Sequence, residues 1–159
     1  MVFKVKFSTF VKVITIIVTA MIIYAISQLV ATRDLGNVLI AVALVVIVGY
    51  FALQTPLKIA LDDSGFTLYK VIGKKRVDFT EISDIKLFNA SGTDLRLLGS
   101  GGFLGYYGKF SNNEIGSYMS YVGNFKQAFL VTTKQGNNLV FSCENVENLI
   151  ETVRKHINL

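Results

Sequence analysis

The sequence predicts a two-helix transmembrane hairpin followed by a mainly-β domain of about seven short antiparallel strands, closed by a C-terminal α-helix. Three observations carry this prediction. Two uncharged apolar runs occupy residues 13–31 and 38–53, period-two patterning broken by turn residues begins at Thr55, and a helical apolar stripe fills 146–157. The composition agrees: 52% hydrophobic with only 17% charged residues is too apolar for an ordinary soluble domain of 159 residues, so part of the chain belongs in lipid.

The first run, VITIIVTAMIIYAISQLVA at 13–31, has the roughly 20 residues that cross a hydrocarbon core as a helix. The second, VLIAVALVVIVGYFAL at 38–53, is slightly short, and Gln54 or local bilayer thinning completes it. Between them lies TRDLGN, a polar link in which Gly36-Asn37 reads as a turn. So short a connection makes the helices antiparallel. Lys4, Lys6 and Lys12 precede the first helix and Lys58 follows the second, whereas the link holds Arg33 alone; the positive-inside rule therefore puts both ends in the cytoplasm. QLVAT is a poor match to a small-x-small cleavage site, which argues against a removable leader. The organisation expected is a cytoplasmic segment 1–12, a helical hairpin 13–54 and a β domain 55–159.

LKIAL (57–61) and FTLYKV (66–71) flank DDSG, where Asp and Ser bond turn amides and Gly65 supplies a positive φ. KRVDF (75–79) follows a turn at Gly73, and EISDIKLF carries Ile82, Ile85 and Leu87 through a short turn into a fourth strand. GSYMSYV, QAFLVTTK and LVFSC supply the rest, the last two separated by the turn QGNN. In the closing helix Asn145 is the expected cap, Val146, Leu149, Ile150, Val153 and Ile157 form the apolar stripe, and Arg154, Lys155 and His156 sit where cations favour the dipole.

The stretch LRLLGSGGFLGYYGKF at 95–110 is the most unusual. It is not a P-loop: Phe103 stands where the first glycine belongs, and Phe110 rather than Ser or Thr follows Lys109. Nor does G-x-G-x-x-G fit, since Leu104 takes the place of the third glycine. Two readings remain open. The glycines bend a strand while Phe103, Tyr106, Tyr107 and Phe110 pack in the core; or the stretch is an exposed loop whose rings lie at the headgroup level or meet a partner, with Arg96 and Lys109 near anionic groups.

The net charge of +5 divides into +3 before Thr55, from four cations and Asp34, and +2 after it, from twelve cations and ten carboxylates. That is too dilute for a nucleic-acid footprint. The lone Cys143 forms neither a disulfide pair nor a metal set, and reads as a small buried thiol. His156, Asp62-Asp63, Glu114 and Ser142 have no partners in sequence that would make a catalytic centre, so the sequence predicts no enzyme and no cofactor.

The segments PLKIALDDSGF, VDFTEISDI, LRLLGSGGFLGYYGKF, YVGNFKQAFLVTT and VFSCENVENLI, spanning 56–157, together resemble the bacterial pleckstrin-homology (PH) domain-containing membrane proteins. The resemblance implies a PH-like barrel capped by the C-terminal helix and carried behind transmembrane helices in the bacterial inner membrane, with no catalytic residues. Eukaryotic PH domains that read phosphoinositides carry basic residues in the first hairpin loop; here Asp62 and Asp63 stand there, which argues against a phosphoinositide-specific reader. Lys74, Lys75 and Arg76 form the only dense basic run, either a solvated turn or a weak grip on anionic headgroups. The expected role is a membrane-anchored binding or scaffolding module that recognises a protein segment or an anionic membrane surface, its partners being the bilayer and a protein or a second copy of itself. Strand addition at an exposed sheet edge is one mechanism. The alternative is an accessory subunit of a membrane transport complex, with Ser27, Gln28, Ala41, Ala43 and Gly49 at helix contacts.

Overall fold

A computed structural model describes residues 1–32, 34–90 and 94–157; Arg33, on which part of the charge asymmetry rests, lies outside the described residues. The two apolar runs form α1 (Thr9–Ala31) and α2 (Leu35–Leu53), both long and apolar enough to cross a membrane. Each starts earlier than the hydropathy pattern suggests, because a polar cap precedes it. Ser8 Oγ accepts the Val11 N–H at 3.2 Å, and Asp34 Oδ2 accepts the Asn37 N–H at 3.1 Å. Gly36 and Asn37 therefore lie in the first turn of α2 rather than in a turn between helices. The helices pack against each other, with Ala41 buried; Ala43 is exposed, and nothing stands within 4 Å of a Cβ placed on Gly49. Ser27 bonds within its own helix, to the Tyr24 carbonyl at 2.7 Å.

The β region contains ten strands among the described residues, not about seven, arranged as two separate sheets and not as a closed barrel. The first sheet has the order β1-β2-β3-β4, from Val2–Lys4, Pro56–Leu61, Gly65–Lys70 and Lys74–Asp78. The second has the order β5-β9-β10-β8-β7-β6, from Ile82–Leu87, Leu95–Gly102 (β6), Gly105–Asn112 (β7), Gly116–Val122 (β8), Ala128–Thr133 (β9) and Asn138–Ser142 (β10). Three strands escape the sequence pattern. β1 is only three residues long, and β6 and β7 are the two arms of the glycine-rich stretch. One pairing, β8 with β10, is parallel.

Local chemistry explains the turns. Asp62 Oδ1 accepts the Ser64 and Gly65 N–H groups at 3.0 Å each, closing the β2–β3 turn. Gly65 does not adopt a positive φ; it is glycine because a Cβ would lie 2.4 Å from the Val77 carbonyl oxygen. The main core lies between the sheets, around Phe66, Phe129, Phe141 and Tyr121. The apolar stripe of α3 (Val146–Ile157) covers one end, and Arg154 fastens it by donating to the Ile85 carbonyl from Nε and Nη2 at 3.2 and 2.9 Å. Asn145 enters the helix at φ 52°, a left-handed conformation asparagine tolerates, and its carbonyl accepts the Leu149 N–H at 3.2 Å. A second cluster, with Phe88, Phe110, Tyr118 and Leu130, lines the other face of the six-stranded sheet. Cys143 is buried, and burial, with the Glu144 charge adding, pushes its thiol up to about 12.

A helix-proximal rim and a basic cleft

The ends of the helices are tied to the β sheets by hydrogen bonds at one end of the strands. After α2, the Ile72 N–H donates to the Leu53 carbonyl at 3.0 Å and the Val71 N–H to that of Thr55 at 3.1 Å. Lys70 Nζ also donates to Gln54 Oε1. Before α1, the Ser8 N–H donates to the Gly123 carbonyl at 3.1 Å, the Glu144 N–H donates to that of Lys4 at 2.9 Å, and Lys6 pairs with Glu144. The β3–β4 turn that these bonds hold beside α2 exposes Val71 and Ile72, the latter 61% accessible.

The glycine-rich hairpin reaches the same end. Its two-residue tip is Phe103-Leu104, half-buried, with Leu104 at φ 56° and its N–H donating to Thr15 Oγ1 of α1 at 2.9 Å. Gly102, behind the tip, lies against Phe10 and Ile14, so a Cβ there would come within 3.3 Å of the Phe10 ring. Tyr107 packs against Tyr121 at 5.6 Å and hydrogen-bonds Tyr50 near the end of α2; burial first, then that bond, raises its hydroxyl above the ordinary tyrosine range. Tyr106 is half-buried on the opposite face, 4.6 Å from Phe125. The stretch thus bends a sheet, packs the rings of Tyr106, Tyr107 and Phe110, and presents its half-buried tip to α1. Arg96 is exposed on β6 opposite Phe110, its guanidinium lying over Gly101.

The remaining basic residues divide. Arg76 is committed: Nε donates to Asp78 Oδ1 at 2.6 Å, Nη1 to Asp62 Oδ2 at 2.7 Å and Nη2 to Ser64 Oγ at 2.6 Å. Its hydrogen bonds to Asp62 hold that carboxyl well below the usual range, and Asp62 in turn raises the guanidinium. Because the folded pKa of Asp62 is depressed, its contribution to stability is present above the unfolded value of about 3.9 and disappears as pH falls through the lower folded value. In Arg76→Gln, Asp62 titrates at higher pH than in the parent chain in a carboxyl-detected NMR pH series, the Ser64 hydrogen bonds still holding it below the ordinary value; a titration unchanged from the parent chain refutes the assignment.

Lys74 is exposed beside the rim turn. Lys75 and Lys109 meet elsewhere, in a cleft of about 850 Å³ where β4 and the inner face of the six-stranded sheet splay apart. Lys134, which the sequence offers only as the last residue of the strand QAFLVTTK, joins them, and Glu81 is the one carboxylate on the lining. None of these three lysines has an ion pair among the described residues. Residues 57–157 match the family model described as a bacterial PH domain, within one residue of the span the sequence segments suggest. Neither a curated protein nor a solved structure matches the chain.

Proposed function

The chain belongs to the bacterial PH domain family, and on that premise we propose that it is a membrane-anchored, non-catalytic binding or scaffolding module held on the cytoplasmic face of the inner membrane. α1 and α2 cross the bilayer as a hairpin, and the β sheets stand on its cytoplasmic surface. The observation that carries this reading is the rim: both helix ends and two turns with apolar tips, Val71-Ile72 and Phe103-Leu104, are bonded together at one end of the strands. Helices that enter the bilayer at this end bring those apolar tips to the interface, where burying them from water is favourable. Lys12 in the first turn of α1, Lys70 at the end of β3 and Lys74 at the start of β4 flank these tips, and each cation gains about 1 kcal/mol against an anionic leaflet. With the domain already tethered, a weak intrinsic affinity suffices for partners in the same membrane.

The buried Cys143 is shielded from reagents, so single surface cysteines can be labelled without removing it. In the full chain in nanodiscs, an environment-sensitive fluorophore on Ile72→Cys or Phe103→Cys emits at shorter wavelength than one on Asn137→Cys, at the opposite end of β10. Equal emission from all three overturns the rim as a bilayer contact. A reporter fused after Leu159 is active in its cytoplasmic form; activity in an outward-reporting fusion reverses the orientation.

A further inference from the structure

We propose that the seam between the two sheets is a docking cleft for an extended acidic segment of a partner protein, which adds as a strand to the free edge of β4. The inference rests on the binding-module reading above and names what that module binds. Among the described residues β4 pairs with β3 alone, so the N–H and C=O groups on its outer edge have no described strand beside them. Within β4, side chains alternate: Val77 is buried toward the core, and Lys75, two residues before it, shares that face and projects into the cleft.

The opposite wall carries Lys109 on β7, in register with Met119 on β8, and Lys134 closes the end at the β9–β10 turn. Arg76 has spent its donors on Asp62, Asp78 and Ser64, so the charge left on the lining is that of the three lysines, which outnumber the single carboxylate of Glu81. Three unpaired cations facing one another across a gap repel, and an acidic occupant relieves that repulsion. Between them the floor is apolar, with Val77, Met119 and Leu139. A strand that alternates acidic and apolar side chains matches both features while its backbone completes the β4 ladder.

The free β4 edge and the apolar floor select a protein segment over lipid: an extended backbone completes the ladder, which a headgroup does not. The cleft runs from Lys75, next to the rim turn, to an opening by Ser117 and the turn at Gly136, and that opening lies about 20 Å from Gly123, beside which the helices join, at the usual rise per residue. Headgroups of the membrane that holds the anchor reach no further than its Lys75 end. The lysines also come from three separate elements around an open gap of about 850 Å³, room for an extended segment. Another sheet edge, β6, exposes Leu95, Leu97 and Leu98 but has no comparable charge pattern to select an occupant.

The test uses the full chain in zwitterionic nanodiscs and a fluorescein-labelled peptide of three Glu-Val repeats, read by fluorescence anisotropy. Saturable binding is expected, weakened at least tenfold by Lys75→Glu with Lys109→Glu, two exposed positions that leave the core intact, and weakened likewise when alternate peptide amides are N-methylated. A peptide of Lys-Val repeats does not bind. The proposal is overturned if the Glu-Val peptide fails to bind at millimolar concentration, if the charge-reversed variant or the methylated peptide binds as the parent does, or if equimolar inorganic pyrophosphate displaces the peptide. Fluorophores at Ile72 and Asn137 in the same nanodiscs separate the two readings. A spectral shift without peptide binding removes only the cleft, and peptide binding without the shift removes only the membrane contact.

Discussion

Alanine at Gly99 or Gly108 dismantles the β6–β7 hairpin. The two glycines face each other across it, with φ of 124° and 129°. A Cβ on Gly99 would sit 2.0 Å from the Tyr107 carbonyl oxygen, and one on Gly108 would sit 2.1 Å from that of Leu98. Both obstacles are backbone, and neither can swing aside as a side-chain tip does. The left-handed φ alone costs about 1–3 kcal/mol, and the forced separation of the strands adds to it. Gly116 is the internal control: its φ is 70° but nothing lies within 4 Å of a Cβ, so Gly116→Ala carries only the conformational cost, about 1 kcal/mol. Hydrogen exchange on the full chain reads the difference. Amides of 95–112 lose protection in Gly99→Ala and keep it in Gly116→Ala; equal protection in the two variants refutes the close-approach explanation.

The same geometry shows what could be read in the sequence and what could not. Glycine at 99, 102, 105 and 108 presents a three-residue spacing, but the structure turns it into a mirror: 99 pairs with 108 and 102 with 105 about a two-residue tip. A linear pattern carries no mark of the residue about which it folds, so two strands were hidden in what read as either one bent strand or an exposed loop. β2, β3, β4, β5, β8, β9 and β10 were legible because alternation and turn residues are local signals. Asp62 was legible as turn chemistry for the same reason, whereas its pairing with Arg76, fourteen residues on, was not. The parallel pairing of β8 with β10 and the failure of β4 to close onto the second sheet depend on contacts remote in sequence. So does the cleft: Lys75 and Lys109 were candidates for separate reasons, one in a basic run and one beside glycines, and only the splayed sheets bring them to one gap with Lys134.

Phe141→Ala costs about 3–5 kcal/mol, a large share of the roughly 5–15 kcal/mol that a domain of this kind possesses. Phe141 lies on β10 with none of its surface accessible. Its ring stands edge-on to Phe66 at 5.3 Å, stacks on Tyr121 at 5.4 Å and 11°, and lies 5.6 Å from Phe129. Phe66 belongs to β3 in the four-stranded sheet; Tyr121 and Phe129 belong to β8 and β9 in the other. Truncation therefore leaves a cavity at the junction of the sheets and removes aromatic contacts worth about 0.5–1.5 kcal/mol each beyond burial. Phe141→Leu keeps most of the volume and loses less than half as much. Urea unfolding of the full chain in detergent, followed by near-ultraviolet circular dichroism, measures both. A loss under 1 kcal/mol for Phe141→Ala contradicts the packing. In a closed barrel, ladder hydrogen bonds run around the whole circumference and share the load when the core is weakened. Here, among the described residues, no strand of the four-stranded sheet is laddered to the other, so the junction depends heavily on side chains, and the ring that spans it becomes the place where the β region is most easily broken.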